Sequence, residues 1–527
     1  MIKRGGDILN QYEELYNVKK NIDYKIRENK LFKLSIEDAA LNVIEKVGVL
    51  NSILYTKSDY QQQEILRRVC NIRLMNIDTI SFIQESIKWI FRWCSTFCEK
   101  TSFIKTKEVV ANDIYNLMGV AYLYEKFHDM WEMNTKRKVT YERFDKRLQF
   151  SYINEETYKV HLFYDNICRI IDEVKLKEIV DNSSVDKSDL AEAMDYAHQL
   201  DFNCTFNMDF DGFNLEDYRI FSSELTKLFA EKISECNKSG INTILPGHSG
   251  LICMKKGKWI QKLSAASKIN QEKIEKIINF FTYNFADKNS DISLSYFVPI
   301  LNDELIVSEA IFNLSRPEAN AMRLLAKRES SNYDYAQNNF EEEERKKISN
   351  GINKKYLIGY GTDNSRKNIP GMDLLVYDSE ENHLQVIELK YKIPVDSTRD
   401  INNLDNMLDK AYKQVEEAKK YVNGKVDSIL CEYFGDEYDM IIPNKIDYFV
   451  LTNYSIGTGI NNKVPTQILL INHYIELMSN RNGMELVRTI LNAKNKMMNI
   501  EELKEYISFS LFEYEIFIPQ YSFKLIN

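Results

Sequence analysis

The chain has eight cysteines but no Cys-x-x-Cys pair, so it offers neither the ligand spacing of a zinc site nor a disulfide framework. Cys94 and Cys98, the closest two, stand one helical turn apart in an apolar stretch, which reads as buried free thiols in a reducing compartment. No apolar run approaches the roughly 20 residues that a membrane span needs. The most apolar helix candidate, residues 80–98, is interrupted by Gln84, Glu85, Lys88 and Arg92. Residues 1–10 begin with Lys3, Arg4 and a glycine pair and lack an apolar h-region, so they do not read as a secretory signal. The expectation is a cytoplasmic chain with no membrane partner.

Several catalytic signatures are missing as well. No Walker A sequence occurs, which argues against ATP use. Gly457-Thr458-Gly459 lacks the third glycine of a dinucleotide fingerprint, and Gly247-His248-Ser249-Gly250 lacks the order of a nucleophile elbow. Asn207, Asp209, Asp211 and Gly212 imitate the start of a calcium loop, but Tyr218 stands where the bidentate Glu belongs. A turn leading into a helix is the better reading there. The six histidines are dispersed. Positive charge is also in deficit: 69 Lys and Arg against 78 Asp and Glu give a net −9. That excludes a generally basic coat for nucleic acid, though not a local cluster of cations.

What is present is a long chain of ordinary globular composition. At 527 residues, 44% apolar and 28% charged, it exceeds what one core accommodates and implies two or three domains. The first part reads as helical. Ser35 with Asp38 forms a cap signal, and Ala39, Val43, Ile44 and Val47 follow at helical spacing. Ile80, Ile83, Ile87, Ile90, Phe91 and Cys94 make a second stripe; Ile114, Leu117, Ala121 and Tyr124 make a third. Residues 181–189 form a polar linker candidate, followed by helices near 190–200 and 222–236. Residues 251–254 and 259–263 flank Lys255, Lys256, Gly257 and Lys258, which suggests a hairpin with a basic turn. Lysines in such a turn are either solvated or in contact with a nucleic-acid backbone, with Trp259 beside them. A helix over 271–283, paired strands at 296–300 and 304–307, and a helix over 316–328 with Pro317 in its first turn come next.

The chemistry is concentrated in residues 369–392. Residues 372–377 read as a strand, 379–382 as a polar turn and 384–391 as a second strand. Glu388 and Lys390 are two residues apart, so they leave the same face of that strand. Asp373 begins the neighbouring strand and can lie beside them. Two converging carboxylates make a hard-oxygen site for Mg²⁺ or Mn²⁺. A lysine next to the ion can orient water and offset charge developing on a phosphate. The bland alternative is a Glu-Lys pair on the wet face of an edge hairpin.

The Pro370-Gly371-Met372-Asp373 step, the strand–turn–strand and the Glu388-Leu389-Lys390 strand together resemble the PD-(D/E)XK nuclease superfamily. Two residues separate Pro370 from Asp373, a departure in the proline rather than in the acid. The resemblance implies that Asp373 and Glu388 bind metal and that Lys390 supports the attacking water. It also implies a carboxylate on a preceding helix. Residues 340–348 lie where that helix belongs, and a 100° projection puts Glu341 and Glu344 on the stripe of Phe340 and Ile348. Glu342 and Glu343 point away. The Phe340-Glu341 step is similar to that of Mrr-like restriction endonucleases, which favours Glu341 as the third metal ligand; a solvated acidic patch is the alternative. A helix over 409–422 follows, with Ala411, Val415, Ala418 and Val422 inward and Gln414 at the border. It is similar to the glutamine-bearing helix of RecB-like members, except that Ala418 occupies the tyrosine's place. Gln414 is thus either a site residue or a border amide. Residues 447–453 supply the next strand.

The implied fold class is α+β and multidomain: a mainly α-helical amino-terminal region, then a restriction-endonuclease-like α/β core with a mixed central sheet flanked by helices. The expected divisions are 1–185 helical, 186–300 a mixed α/β connection, 301–470 the nuclease and 471–527 a helix and strand extension. Arg366, Lys367 and Lys392, with Lys255, Lys256 and Lys258 further off, are candidates for nucleic-acid contact. The expected activity is Mg²⁺-dependent endonuclease cleavage, DNA before RNA, in bacterial restriction or anti-phage defence. A second copy of the chain or a partner defence subunit would complete the assembly. The rival readings are an inactive nuclease-fold scaffold and a helical sensor or interaction protein.

Overall fold

The structure is a computed structural model describing residues 5–98, 111–153, 155, 207–238, 250–360, 371–435, 442–453, 467–494 and 500–525, except 75–76, 289, 315–316, 329, 392 and 394–397. The linker candidate at 181–189 and the helix expected near 190–200 fall outside the described residues.

Five helices open the chain: α1 (Gly5–Arg27), α2 (Ile36–Tyr55), α3 (Asp59–Val69), α4 (Thr79–Phe97) and α5 (Ala111–Thr135). Ser35 caps α2 by accepting the Asp38 N–H at 3.1 Å, and Asp78 caps α4 through Ser81 N–H at 2.8 Å, each satisfying one orphan donor. Ile83, Ile87, Ile90, Phe91 and Cys94 of α4 are buried, as are Ile114, Leu117, Ala121 and Tyr124 of α5. Ile80 departs from the expected stripe and is 51% exposed in the first turn. The chain then forms an antiparallel hairpin, β1 (Val139–Phe144) and β2 (Arg147–Tyr152).

Residues 207–214 form a short hairpin, β3 (Asp209–Phe210) and β4 (Phe213–Asn214), turning at Gly212 with φ of +89°. It leads directly into α6 (Leu215–Lys238), so the calcium-like run is a turn. The expected hairpin across Lys255–Lys258 does not form. Strand β5 (Leu251–Lys255) runs straight into helix α7 (Lys256–Ser267). Trp259 and Leu263, four residues apart, are both buried on that helix, and the Trp259 indole donates to Leu305 O at 3.0 Å. A short apolar run does not separate helix from strand, and here the i, i+4 pair decides for helix. Helix α8 (Gln271–Phe280) follows, then β6 (Val298–Ile300), β7 (Glu304–Ser308), α9 (Glu309–Leu314) and α10 (Pro317–Arg328). β7 pairs antiparallel with both β5 and β6, turning from β6 at Asn302 and Asp303, both with positive φ.

The remaining elements surround a five-stranded sheet. They are α11 (Ser330–Gly351), β8 (Leu357–Tyr360), β9 (Leu374–Asp378), β10 (His383–Lys390), α12 (Thr398–Val422), α13 (Val426–Phe434), β11 (Lys445–Thr452), β12 (Gln467–Leu470), α14 (Ile471–Met478) and α15 (Gly483–Lys494). The strand order is β12-β11-β10-β9-β8. β9 runs antiparallel to both of its neighbours, β8 and β10, whereas β10, β11 and β12 are parallel. β10 is buried along its length apart from Lys390, as a strand covered on both faces must be. On one face Leu375, Tyr377, Leu384 and Val386 meet Ala418 and Val422 of α12 with Leu430 of α13. On the other, Leu374, Val376, Ile387 and Leu389 meet Ile348 of α11 with Tyr474 and Met478 of α14. Two polar members of β10 find partners inside: Gln385 Oε1 accepts the Tyr474 hydroxyl at 2.8 Å, leaving its Nε2 without a partner, and His383 Nε2 lies 2.7 Å from Asp447 Oδ2.

Two long strands follow, β13 (Ile500–Leu511) and β14 (Tyr514–Leu525). Within the stretch expected as an extension, α14 and α15 pack on the five-stranded sheet, while β13 and β14 join β1 and β2 in the order β1-β2-β14-β13. β14 lies parallel to β2, with Glu515 opposite Arg147. The protein is therefore α+β, with a helical amino-terminal region and both mixed and antiparallel sheets. Among the described residues no helix is long and apolar enough to cross a membrane. Cys94 and Cys98 are free and buried, as are Cys70 and Cys236, whereas Cys253 is exposed.

Candidate active site

The β9–β10 register determines where the charged residues meet. Leu374 faces Ile387, so the same pairing carried one residue further brings Asp373 opposite Glu388. The Leu389 N–H donates to Asp373 Oδ2 at 2.8 Å, fixing the aspartate against the β10 backbone. Alternation along the strands then puts Asp373, Glu388 and Lys390 on the α12 face, in line with Leu375 and Val386. The Lys390 ammonium donates to Glu388 Oε1, and to Leu389 O at 3.1 Å.

Glu388 is 1% exposed. Burial, and then the neighbouring Asp373 carboxylate, push its pKa up to about 8 against the opposing pull of Lys390. Its Oε2 is buried and accepts no hydrogen bond. Burial would lower the Lys390 pKa, but the carboxylates of Glu388, Asp373 and Glu341 outweigh it and raise the value. The strand thus ends in a cation held among three acids.

The third acid is Glu341 on α11. Burial raises its pKa; Lys390 opposes that, and Asp373 adds to it, so Glu341 stands within electrostatic reach of both. Glu344, on the same stripe, answers to a different neighbour. It is raised by burial and offset by Lys347, whose ammonium lies 3.8 Å away. Glu342 and Glu343 point away and share Lys346, at 3.2 and 2.8 Å.

Helix α12 closes over the site at Gln414. Gly371, with φ of +81°, passes so close that a Cβ there would fall 2.2 Å from the Gln414 carbonyl oxygen. Only glycine suits that conformation and that gap. The Gln414 side-chain Oε1 is buried without a partner. Arg366, Lys367 and Lys392, expected near an entering phosphate, lie outside the described residues, as does Pro370. Lys255, Lys256 and Lys258 belong to the end of β5 and the first turn of α7, on a different sheet from Asp373. Lys256 pairs with Glu275 at 3.0 Å.

Two features escaped the sequence. Tyr391 stacks on Phe340, and Lys410 of α12 acts on the charge of Glu341. The available signal for Lys410 was its position four residues before Gln414.

Asp373, Glu388 and Glu341, the carboxylates around Lys390, are the residues that could contribute oxygens to a divalent cation. Among the described residues no three His, Cys, Asp or Glu side chains are gathered closely enough to cage an ion by themselves. Mg²⁺ fits such a site, because it commonly takes one or two carboxylates and completes its shell with water and substrate phosphate. The unpartnered Glu388 Oε2 beside a second carboxylate is the local sign of that fit. No family model matches the chain, and neither the curated proteins nor the solved structures searched contain a match.

Proposed function

We propose that residues 330–494 carry a metal-dependent nuclease centre of the PD-(D/E)XK kind on a restriction-endonuclease-like core, hydrolysing phosphodiester bonds with DNA favoured over RNA. The observation that carries this reading is the facing pair Asp373 and Glu388, with one buried glutamate oxygen lacking any donor, on the strand that presents Lys390 two residues on. The order of elements supports it: α11 with Glu341, the β9–β10 hairpin, α12, then β11 parallel to β10. A structural salt bridge alone would account for Lys390 and Glu388, but not for a second carboxylate brought against them at a desolvation cost.

Asp373, Glu388 and Glu341 would hold Mg²⁺ or Mn²⁺. The ion, when bound, supplies a Lewis acid and a water acidified toward neutral pH. Lys390, released from Glu388, orients the attacking water and offsets charge growing on the phosphate. Gln414 serves at the wall, its free Oε1 able to accept from that water. The helical region is read as the part that senses a trigger or holds partner subunits in restriction or anti-phage defence.

The test is incubation of plasmid DNA and of RNA with Mg²⁺, Mn²⁺ or EDTA, alongside Mn²⁺ titration of the protein. Wild type is expected to cut in metal and not in EDTA, and Lys390→Ala to lose cleavage while still binding Mn²⁺. A chain that neither cuts nor binds Mn²⁺ ends this reading, as does cutting that survives Lys390→Ala.

A further inference from the structure

We infer that Lys410 is a phosphate-contact residue, its ammonium meeting a backbone phosphate of the nucleic acid that lies across the Asp373–Glu388 centre. The inference rests on the nuclease reading above and adds a substrate-binding group to it.

The direction of α12 over the sheet is the first argument. Ala418 and Val422 pack on Leu384 and Val386, toward the start of β10. Leu408 and Ala411 pack on Val450, which pairs with Glu388 toward its end. The helix therefore enters above the Lys390 end of β10 and leaves above the His383 end. Gln414 is level with Gly371, just before Asp373. Lys410, one turn earlier on the same side of the helix, stands toward the Lys390 end of β10.

Its surroundings are the second argument. Lys410 is exposed, and among the described residues it makes no ion pair. It lies on the side of α12 that carries Gln414, toward the end of β10 that bears Glu388 and Lys390. A hydrated ammonium on a flexible stem at that position can meet an arriving anion. In a chain of net charge −9, phosphate attraction must come from such local cations.

The test uses the full chain with Ca²⁺, a fluorescein-labelled DNA duplex and the corresponding single-stranded RNA, measuring binding by anisotropy across a salt series. Lys410→Gln, which keeps helix propensity, is expected to weaken binding about fivefold to tenfold. It should also lower the slope of log affinity against log salt by about 0.9 for duplex DNA, or about 0.7 for a single strand. Mn²⁺ affinity should stay at the wild-type value. Lys420→Gln, at the far end of α12, should leave both affinity and slope unchanged. Unaltered affinity and slope in Lys410→Gln overturn the phosphate contact, even where Asp373→Asn still abolishes Mn²⁺ binding and cleavage. Loss of Mn²⁺ binding in Lys410→Gln overturns it too, by making the lysine part of the metal site. Failure of wild type to hold either probe at low salt removes the contact together with its substrate.

Discussion

Phe340 stacks face to face on Tyr391, with ring centroids 4.5 Å apart and planes 19° from parallel. Both rings are buried in the core cluster that also holds Ile114, Leu117 and Tyr124 of α5. Phe340 immediately precedes Glu341, and Tyr391 immediately follows Lys390. One aromatic contact therefore joins the two backbones that carry an acid and the cation, and seats both against the helical region. Tyr391→Leu and Phe340→Leu are expected to reduce kcat about tenfold to a hundredfold, since a displacement of about 1 Å costs that much. Tyr391→Phe should retain most activity. Steady-state kinetics decide this, and an equal loss in Tyr391→Phe would move the effect from the ring to the hydroxyl.

Glu341 and Glu344 occupy the same stripe of α11 but have different charged neighbours. Glu341→Gln should weaken Mn²⁺ binding about tenfold to a hundredfold. Glu344→Gln should leave Mn²⁺ binding near wild type and act, if anywhere, on thermal stability. Isothermal titration of the two variants separates them; matching losses would contradict the assignment of the third carboxylate to Glu341.

Gly371 meets two constraints together, a positive φ and a backbone oxygen 2.2 Å from where a Cβ would sit. Gly371→Ala is expected to cost about 2–3 kcal/mol and to shift α12 away from Asp373. Denaturant unfolding and Mn²⁺ titration should therefore both register the change. Unchanged stability would mean that the helix yields freely at Gln414.

His128 packs against Trp89, Tyr124 and Trp131, and burial is the main reason its pKa drops to about 4. The unfolded chain binds its proton near 6.5, so between these values the unfolded state carries more protons. Stability from this residue is fully present above pH 6.5 and is lost as pH falls toward 4, on the order of 3 kcal/mol. Unfolding measured across that window should show the decline, and His128→Phe should flatten it. A variant with the wild-type slope would exclude His128 as the cause.

Much of the β9–β10 hairpin was legible because its strands are short apolar runs separated by Ser379–Asn382, and because residues two apart on a strand share a face. The 100° projection likewise separated Glu341 from Glu342 and Glu343. Lys410 was not legible. Four lysines of α12, Lys410, Lys413, Lys419 and Lys420, look alike as letters, and only the helix's direction over the sheet tells which one stands toward the Lys390 end of β10. The run from Trp259 to Leu263 was misread because five residues with two large apolar side chains suit either period, and contacts with β7 settle which forms. The β1-β2-β14-β13 sheet was beyond sequence reasoning for another reason: its pairing joins segments far apart in the chain, which no local pattern encodes.

That distant pairing bears on how the protein is made. During synthesis β2 emerges with one edge open, and its neighbour β14 is translated only after the whole five-stranded sheet. That edge stays uncovered and available for wrong partners until the ribosome has passed the hairpin carrying the acids. Completion of the four-stranded sheet is thus a late event, slow in the manner of long-range β pairing. Nascent chains stalled before β14 should be the ones that chaperones hold longest.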